Sequence, residues 1–232
     1  MKLAVIQYPG SNCDYDVIHV LRNLVGIETE LVWHRNFNQS EFDAAILPGG
    51  FSYGDYLRAG AIAAHSPSLN EVKEMSQEGK VVLGICNGFQ ILVEAGVLPG
   101  ALLRNDCLRF VCKWVNLRVC SSRTSATKLI PEGGLLHIPI AHSEGRYVNK
   151  NNDLKKLYEN DQIVFKYVNE KGEEINSNPN GSLDNIAGIC NLDGNIVGLM
   201  PHPERASEPS INPYGSDDGL LVFESMLNYI NH

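Results

Sequence analysis

The sequence lacks any hydrophobic run long enough to cross a membrane. A membrane-spanning helix needs about 20 consecutive apolar residues, and polar or charged residues interrupt every apolar stretch here well before that length. The first ten residues, MKLAVIQYPG, carry one lysine and a hydrophobic stretch too short for a signal peptide. We interpret this segment as a first core strand, and we expect a cytoplasmic protein with no membrane partner.

Positive charge is also scarce. The chain has 19 lysine and arginine residues against 27 aspartate and glutamate residues, which gives a formal net charge of −8. Nucleic acids and anionic membranes select basic surfaces, so we expect neither as the main partner. The 232 residues, 44% of them hydrophobic and 20% charged, are typical of a soluble globular protein with a substantial core.

Cysteine pairs with the spacing of a metal or redox motif are missing as well. The six cysteines form no CxxC pair and no regular framework, and without a secretion signal we expect free thiols. His137 and His142 lie five residues apart in a strand-like run, which points their side chains to opposite faces. Because nothing matches the spacing of zinc ligands, the sequence predicts no metal site.

The first hundred residues alternate strand patterns with amphipathic helix patterns. Strands are predicted over residues 3–7, 30–34, 43–47 and 81–85. Ser11 with Asp14 indicates a capping box at the start of a first helix, and Ser66 before Pro67 indicates the start of a second. This alternation is typical of a doubly wound, mostly parallel, flavodoxin-like α/β sheet flanked by helices. Ligands of such sheets bind at the carboxyl ends of the strands.

The second half changes character, because its strand patterns are joined by polar, turn-rich links instead of helices. The links 149–162 and 169–185 are predicted to be surface loops. We expect an antiparallel extension of the same sheet, within a single domain over residues 1–232, and a last helix that begins at residues 216–218. The strand patterns cover residues 115–119, 135–140, 163–167, 186–190 and 196–200.

Residues 80–95, KVVLGICNGFQILVEA, join a buried strand pattern to G-x-C-x-G and a short helix pattern. A sharp turn flanked by glycines lifts the residue at its apex above the edge of the sheet, as in a nucleophile elbow. The free N–H groups of the following helix would favour the thiolate of Cys86. These residues leave two alternatives open, a catalytic thiol or a buried structural cysteine in a tight turn.

Residues 201–205, PHPER, follow the last strand pattern. Two prolines disfavour helix here, so we expect His202 and Glu204 to project to the same side of an extended segment. At that spacing a carboxylate can bind one imidazole nitrogen while the other nitrogen faces a thiol. A surface turn with an incidental ion pair is the alternative.

G-x-C-x-G followed by a distant H-P-E resembles the class I glutamine amidotransferases. The order of these residues along the chain supports this resemblance. In hydrolases with a serine elbow the nucleophile is followed by the acid and then by the histidine, whereas here the acid comes after the histidine. The resemblance implies that Cys86 is the nucleophile, His202 the base and Glu204 the acid that orients the base.

The resemblance also implies an oxyanion hole at the same sheet edge. Gly50 is the better backbone donor of the Gly49-Gly50 pair, and the N–H of Asn87 would be the second donor. Gln90 lies four residues after the cysteine, on the same helix face, where its amide could contact substrate. A plain tight turn at the two glycines and a solvent-facing residue 90 remain the alternatives.

Three longer sequence motifs indicate which group of amidotransferases the chain resembles: PGSNCD at 9–14, FSYGDYLRAG at 51–60 and HSEGR at 142–146. They look like those of the glutaminase subunits of formylglycinamidine ribonucleotide synthase, which converts an amide to an amidine in purine biosynthesis. The similarity covers nearly the whole chain and adds His142 and Ser143 as candidate substrate contacts. It implies that Cys86 attacks L-glutamine, forming a glutamyl thioester that water hydrolyses with the help of His202.

The sequence contains no G-x-x-x-x-G-K-[ST] loop and no Rossmann fingerprint, so we expect this chain to bind no cofactor. The resemblance then implies a separate large synthetase subunit that uses ATP and Mg²⁺, and a small accessory subunit. Three alternatives stay open: the glutaminase subunit of another class I amidotransferase, a flavodoxin-like cysteine hydrolase, and a binding subunit without catalysis.

Overall fold

The computed structural model describes residues 1–231, apart from the side chains of residues 151 and 152. In this range nine strands form a central sheet and two form a smaller one. The predicted α/β sheet with an antiparallel extension is confirmed. The strands are β1 (Lys2–Gln7), β2 (Glu28–Trp33), β3 (Ala44–Leu47), β4 (Val81–Ile85), β5 (Ala101–Leu103), β6 (Val111–Val119), β7 (Leu135–His142), β8 (Arg146–Val148), β9 (Ile163–Val168), β10 (Ile186–Cys190) and β11 (Ile196–Leu199).

Helices connect and flank these strands. Over residues 1–231, none of them has the length and apolar character needed to cross a membrane. The first helix continues into a π-helical turn over Val20–Leu24. The α-helices are α1 (Asp14–His19), α2 (Ser68–Gln77), α3 (Asn87–Glu94), α4 (Asn151–Glu159) and α5 (Asp218–Ile230).

The parallel half of the central sheet has the order β2-β1-β3-β4-β11, with each neighbouring pair parallel. All residues of β3, β4 and β11 are buried. Their continuous apolar sequences are those expected of strands covered on both faces. The carboxyl ends of these five parallel strands therefore meet at one edge of the sheet.

The antiparallel half continues from β11 through β10, β9, β6 and β7, all in the same sheet. The prediction that 149–162 is only a loop is wrong, because α4 forms there. Leu157 is buried and Leu154 packs on the core three residues earlier, so tertiary burial stabilises a helix in a polar segment. A single domain over 1–232 stays a prediction, and residue 232 lies outside the described residues.

The predicted start of the first helix also needs correction, whereas that of the second is close to the observed one. Ser11 does not cap a helix within the described structure; its Oγ accepts a hydrogen bond from Tyr8 N–H at 3.0 Å and closes the turn after β1. α1 begins only at Asp14. α2 begins at Ser68, directly after the predicted Ser66-Pro67 start, and the Oγ of Ser66 accepts from Ser68 N–H at 3.4 Å as well as lying 2.6 Å from His34 Nδ1.

Candidate active site

Cys86 occupies the apex of the turn between β4 and α3. Its φ of 49° and ψ of −99° are rare for a residue with a side chain, and such a conformation costs about 1–3 kcal/mol. The flanking glycines are required by close contacts: a Cβ on Gly88 would clash with the carbonyl oxygen of Leu47, and one on Gly84 would lie 2.9 Å from that of Gly88. The turn has the geometry of a nucleophile elbow.

The Cys86 thiol lies between the two halves of the central sheet. Cys86 N–H donates to the carbonyl oxygen of Leu199, at the end of β11, at 2.8 Å. The sulfur lies 3.8 Å from the carbonyl oxygen of Ala141 in β7. Only 4% of the residue is exposed, so the thiol is largely shielded from bulk water.

His202 and Glu204 form a buried pair. Nδ1 of the imidazole lies 2.6 Å from Oε1 of the carboxylate, so an N–H donates to a carboxylate oxygen. The segment is not extended as predicted: Pro203–Arg205 forms a 3-10 turn, which brings the two side chains together. His202 N–H donates to the carbonyl oxygen of Pro139 at 2.8 Å, which fixes the segment against β7.

The environment of His202 favours a protonated imidazole. Burial lowers the pKa of His202, but the charges of Glu204 and Cys86 outweigh this effect and hold the pKa well above its ordinary value. Nε2 is buried and has no hydrogen-bond partner of ordinary geometry among the described residues. This nitrogen is therefore free to exchange a proton with the thiol or with a bound substrate.

The predicted oxyanion donors lie on two neighbouring segments. Gly50 has a φ of 149°, and a Cβ there would lie 2.7 Å from the carbonyl oxygen of Gly10. The Gly49 carbonyl oxygen accepts from Asn12 and Cys13 N–H at 3.3 and 3.2 Å, so the Gly50 N–H of the same peptide points the opposite way. Asn87 is the first residue of α3, where the helix leaves its N–H without an intrahelical acceptor.

Gln90 belongs to a polar network around the elbow. Its Nε2 donates to the carbonyl oxygen of Glu144 at 2.6 Å, and its Oε1 accepts from Asn87 Nδ2 at 2.9 Å. Asn87 Oδ1 in turn accepts from Ser52 N–H at 3.1 Å. Gln90 thus joins the 51–60 string to the 142–146 string, and a contact between Gln90 and substrate stays a prediction.

The side chain of His142 and the backbone of the 142–146 loop are held by the same residue, Asn105. Asn105 Oδ1 accepts from His142 Nδ1–H at 3.1 Å and from Gly145 N–H at 3.0 Å, so Nδ1 carries the proton. Burial, and secondarily the charge of His202, lower the pKa of His142 to about 3, which keeps the ring neutral. Ser143 is half-buried and its carbonyl oxygen accepts from Asn105 N–H at 2.8 Å. Substrate contacts by His142 and Ser143 stay predictions.

Sequence reasoning missed two residues of the site, Cys13 and Arg205. Arg205 Nη2 donates to Cys13 Sγ at 3.0 Å, and Arg205 Nε lies 3.9 Å from Glu204 Oε1. Both residues stand inside strings that the sequence singles out, PGSNCD and PHPER, but only the fold brings the strings together.

A metal ion would compete with that arginine. Cys13, His202 and Glu204 offer ligand atoms within 4.8 Å of one another, the geometry expected of a possible metal site in the described part of the chain. The guanidinium of Arg205 already supplies a positive charge beside the thiol and the carboxylate, which disfavours a second cation there. A site without metal stays our prediction.

Comparisons with known proteins agree with this geometry. The sequence profile of a family described as CobB/CobQ-like glutamine amidotransferase domain matches residues 1–230. A phosphoribosylformylglycinamidine synthase subunit PurQ from Methanosarcina barkeri is 55% identical over 99% of this chain and 98% of its own length. One from Aquifex aeolicus is 52% identical over 98% of this chain and 100% of its own. A chain in the structure of PurLQS from Thermotoga maritima superposes with a TM-score of 0.86 at 44% identity, covering 99% of this chain and 98% of that one.

Proposed function

Because this chain belongs to the CobB/CobQ-like glutamine amidotransferase family and, within it, to the PurQ subunits of phosphoribosylformylglycinamidine synthase, we propose that it hydrolyses L-glutamine and delivers ammonia to a partner. The observation that carries the proposal is the elbow thiol of Cys86 beside the buried His202–Glu204 pair. A thiol, a base and an acid that orients the base are the groups that thioester chemistry needs.

The first step is attack of the Cys86 thiolate on the side-chain amide carbon of glutamine. The C–S bond forms as the carbonyl π electrons move to oxygen. The N–H groups of Gly50 and Asn87 would stabilise that oxyanion. Preorganised donors of this kind are worth about 2.7–4 kcal/mol each in comparable sites.

His202 moves the protons. Its imidazolium gives a proton from Nε2 to the departing nitrogen, so that the C–N bond breaks and neutral ammonia leaves a glutamyl thioester. The imidazole then takes a proton from water, which attacks the thioester and releases glutamate and the thiolate. Glu204 holds Nδ1–H throughout and stabilises the imidazolium.

Ammonia must reach its acceptor without entering bulk water, because most of it would become ammonium and lose its nucleophilic lone pair. We propose a separate large synthetase subunit as the acceptor, which uses ATP and Mg²⁺ to convert formylglycinamide ribonucleotide to the amidine. A small accessory subunit would complete the assembly. This chain itself would bind no cofactor.

An exposed group of apolar side chains supports docking of that partner at the site. Phe51 directly follows the oxyanion loop and packs in a tilted arrangement against Phe110, with ring centroids 6.4 Å apart, and Leu57 in the same segment is 93% exposed. Exposed apolar groups of this kind mark interaction surfaces. We give the name mouth patch to the exposed apolar residues of the two segments that this contact joins: Phe51, Tyr56 and Leu57, and Leu108 and Phe110.

We propose the cytoplasm as the compartment. All six cysteines lie in the described range and are free thiols, including the exposed Cys107 and Cys112. Free exposed thiols are typical of reducing compartments.

The test separates the two halves of the reaction. Cys86→Ser in the assembled complex should abolish amidine synthesis from glutamine, because the serine hydroxyl is a far weaker nucleophile. Synthesis from added ammonium salt should continue, since ATP-dependent chemistry belongs to the partner. Glutamate release and amidine formation are measured in parallel. Loss of both activities in a correctly assembled complex would contradict this division of labour.

A further inference from the structure

Cys13 lies inside the candidate site, yet the reaction proposed above makes no use of it. The residue is 1% exposed and directly precedes α1. Its sulfur accepts a hydrogen bond from Arg205 Nη2 at 3.0 Å and lies 3.2 Å from Asn12 Oδ1, to which the thiol can donate. A buried thiol with two polar partners is held in one orientation.

The sulfur of Cys13 packs beside the imidazole of His202 at Gly49. A Cβ built on Gly49 would lie 3.0 Å from Cys13 Sγ and 2.7 Å from His202 Cε1, so both groups face the same α-carbon. Cε1 is the ring atom between the two nitrogens. Only a glycine at position 49 lets the sulfur and this ring edge approach each other so closely.

The backbone of Cys13 fixes the peptide between Gly49 and Gly50. Its N–H, together with that of Asn12, donates to the Gly49 carbonyl oxygen. In a trans peptide the carbonyl and the following N–H point in opposite directions. Two hydrogen bonds on the Gly49 oxygen therefore set the direction of the Gly50 N–H, the oxyanion donor proposed above.

Arg205 links this residue to the triad. Its guanidinium donates to Cys13 Sγ and lies 3.9 Å from the carboxylates of both Glu204 and Asp16. The two carboxylates thus orient the Arg205 side chain, and its guanidinium in turn orients the sulfur of Cys13. The charged and titratable groups around His202 are then Glu204, Cys86, Cys13, Arg205, Asp16 and the neutral His142.

We propose that Cys13 is a positioning residue for glutamine hydrolysis. Its backbone fixes the Gly49–Gly50 peptide, and its sulfur, held by Arg205, keeps the His202 ring oriented with Nε2 towards Cys86. The inference rests on the proposed glutaminase function. It assigns no covalent step to Cys13, which acts only through the groups that it contacts.

The experiment compares Cys13→Ala with Cys13→Ser in the full complex. The alanine variant leaves a gap beside the imidazole, and misplacement of a catalytic group by about 1 Å can cost about 100-fold, so kcat should fall about 10- to 100-fold. KM for glutamine should change less than about twofold, because substrate contacts stay in place. The serine hydroxyl can accept from Arg205, so Cys13→Ser should recover most of kcat.

The rate at which 6-diazo-5-oxo-norleucine, a glutamine analogue that alkylates thiols, modifies Cys86 gives a second readout. It should fall in parallel with kcat in Cys13→Ala. Cys190→Ala is the matched control, because Cys190 is also buried and faces an arginine, Arg123, at 3.6 Å, but lies in β10 outside the site. Its kcat and alkylation rate should equal those of the wild type.

Each outcome decides the inference. Wild-type kcat and alkylation in Cys13→Ala would overturn it, as would a loss of kcat equal to that in Cys190→Ala. If Cys13→Ala does not fold, Arg205→Gln must lower kcat in the same way, and an unchanged kcat there overturns the proposal. A wild-type complex without glutamine hydrolysis would instead refute the proposed function, so the two failures are distinguishable.

Discussion

The carboxylate of Glu204 uses one oxygen to hold His202 and leaves the other, Oε2, buried without a partner among the described residues. His202 Nε2 is in the same situation. A buried polar atom without a hydrogen bond costs about 1–3 kcal/mol, so these two atoms lower the free energy of unfolding. In the proposed reaction this nitrogen exchanges protons with the substrate, so a donor that is not already hydrogen-bonded is useful there.

Substitution of the carboxylate should move the pH dependence of the reaction. The charge of Glu204 raises the pKa of His202 against the effect of burial. Glu204→Gln removes that charge and should lower this pKa. In the proposed reaction the imidazolium protonates the departing nitrogen, so the loss of glutamine hydrolysis at high pH should begin at a lower pH. A pH profile of kcat for both proteins measures the shift.

The same variant should slow hydrolysis less than His202→Ala does, because the glutamine amide can still hold the ring through its oxygen. Circular dichroism checks that both variants fold. An unshifted alkaline limb together with wild-type rates would mean that residues 202 and 204 form only a structural pair.

At the scale of elements, the segment 51–58 is held in an unfavourable backbone conformation. Tyr53, Asp55 and Leu57 have φ values of 54°, 54° and 70°, in the left-handed region that favours glycine. Several contacts hold the segment, among them the Tyr53 hydroxyl, 3.3 Å from His34 Nε2, and Ser52 N–H, which donates to Asn87 Oδ1 at 3.1 Å. The segment is therefore fixed to the sheet on one side and to the elbow helix on the other.

Ionisation of Asp55 should destabilise this segment. Burial, and secondarily the charge of Glu144, raise the pKa of Asp55 to about 6 from an ordinary value of 3.8. The folded state then binds this proton more tightly than the unfolded state, so stability falls as pH rises from about 4 to above 6. Asp55→Asn should raise the Tm near neutral pH and change it much less near about pH 4.

Differential scanning calorimetry at the two pH values provides its own control. Asparagine also tolerates a positive φ better than most residues, an effect independent of pH. An equal rise in Tm at both pH values would therefore assign the whole gain to the backbone and none to the carboxylate.

At the scale of the whole molecule, the site and the mouth patch share one edge of the sheet. If the mouth patch is the docking surface, Leu57→Asp should weaken association with the proposed synthetase subunit by about tenfold or more. The fold should not change, because the side chain is 93% exposed. Isothermal titration calorimetry measures the Kd, and circular dichroism checks the fold.

Leu192→Asp is the matched control, since Leu192 is 66% exposed but lies in the turn between β10 and β11, away from the patch. Its Kd should equal that of the wild type. Equal weakening by both variants would point to a general effect of added negative charge and would remove the mouth patch as the docking surface.

Much of the fold could be predicted because its signals are local. The apolar run of β4 and the glycines around Cys86 specify a buried strand and a sharp turn whatever surrounds them. α4 could not be predicted, because only Leu154 and Leu157 distinguish it from a polar loop and their burial depends on the rest of the core. Ser11 failed as a cap because its hydroxyl binds Tyr8 instead.

By itself, the sequence determined the alternation of strands and helices, the elbow and the short H-P-E segment, since periodicity and backbone sterics act over a few residues. The tertiary structure decided which distant residues meet. It placed His202 beside Cys86, buried His142 under its own loop and brought Cys13 to Arg205. Those contacts join segments far apart in the chain, so no local pattern encodes them, and they form only when the parallel strands align their carboxyl ends.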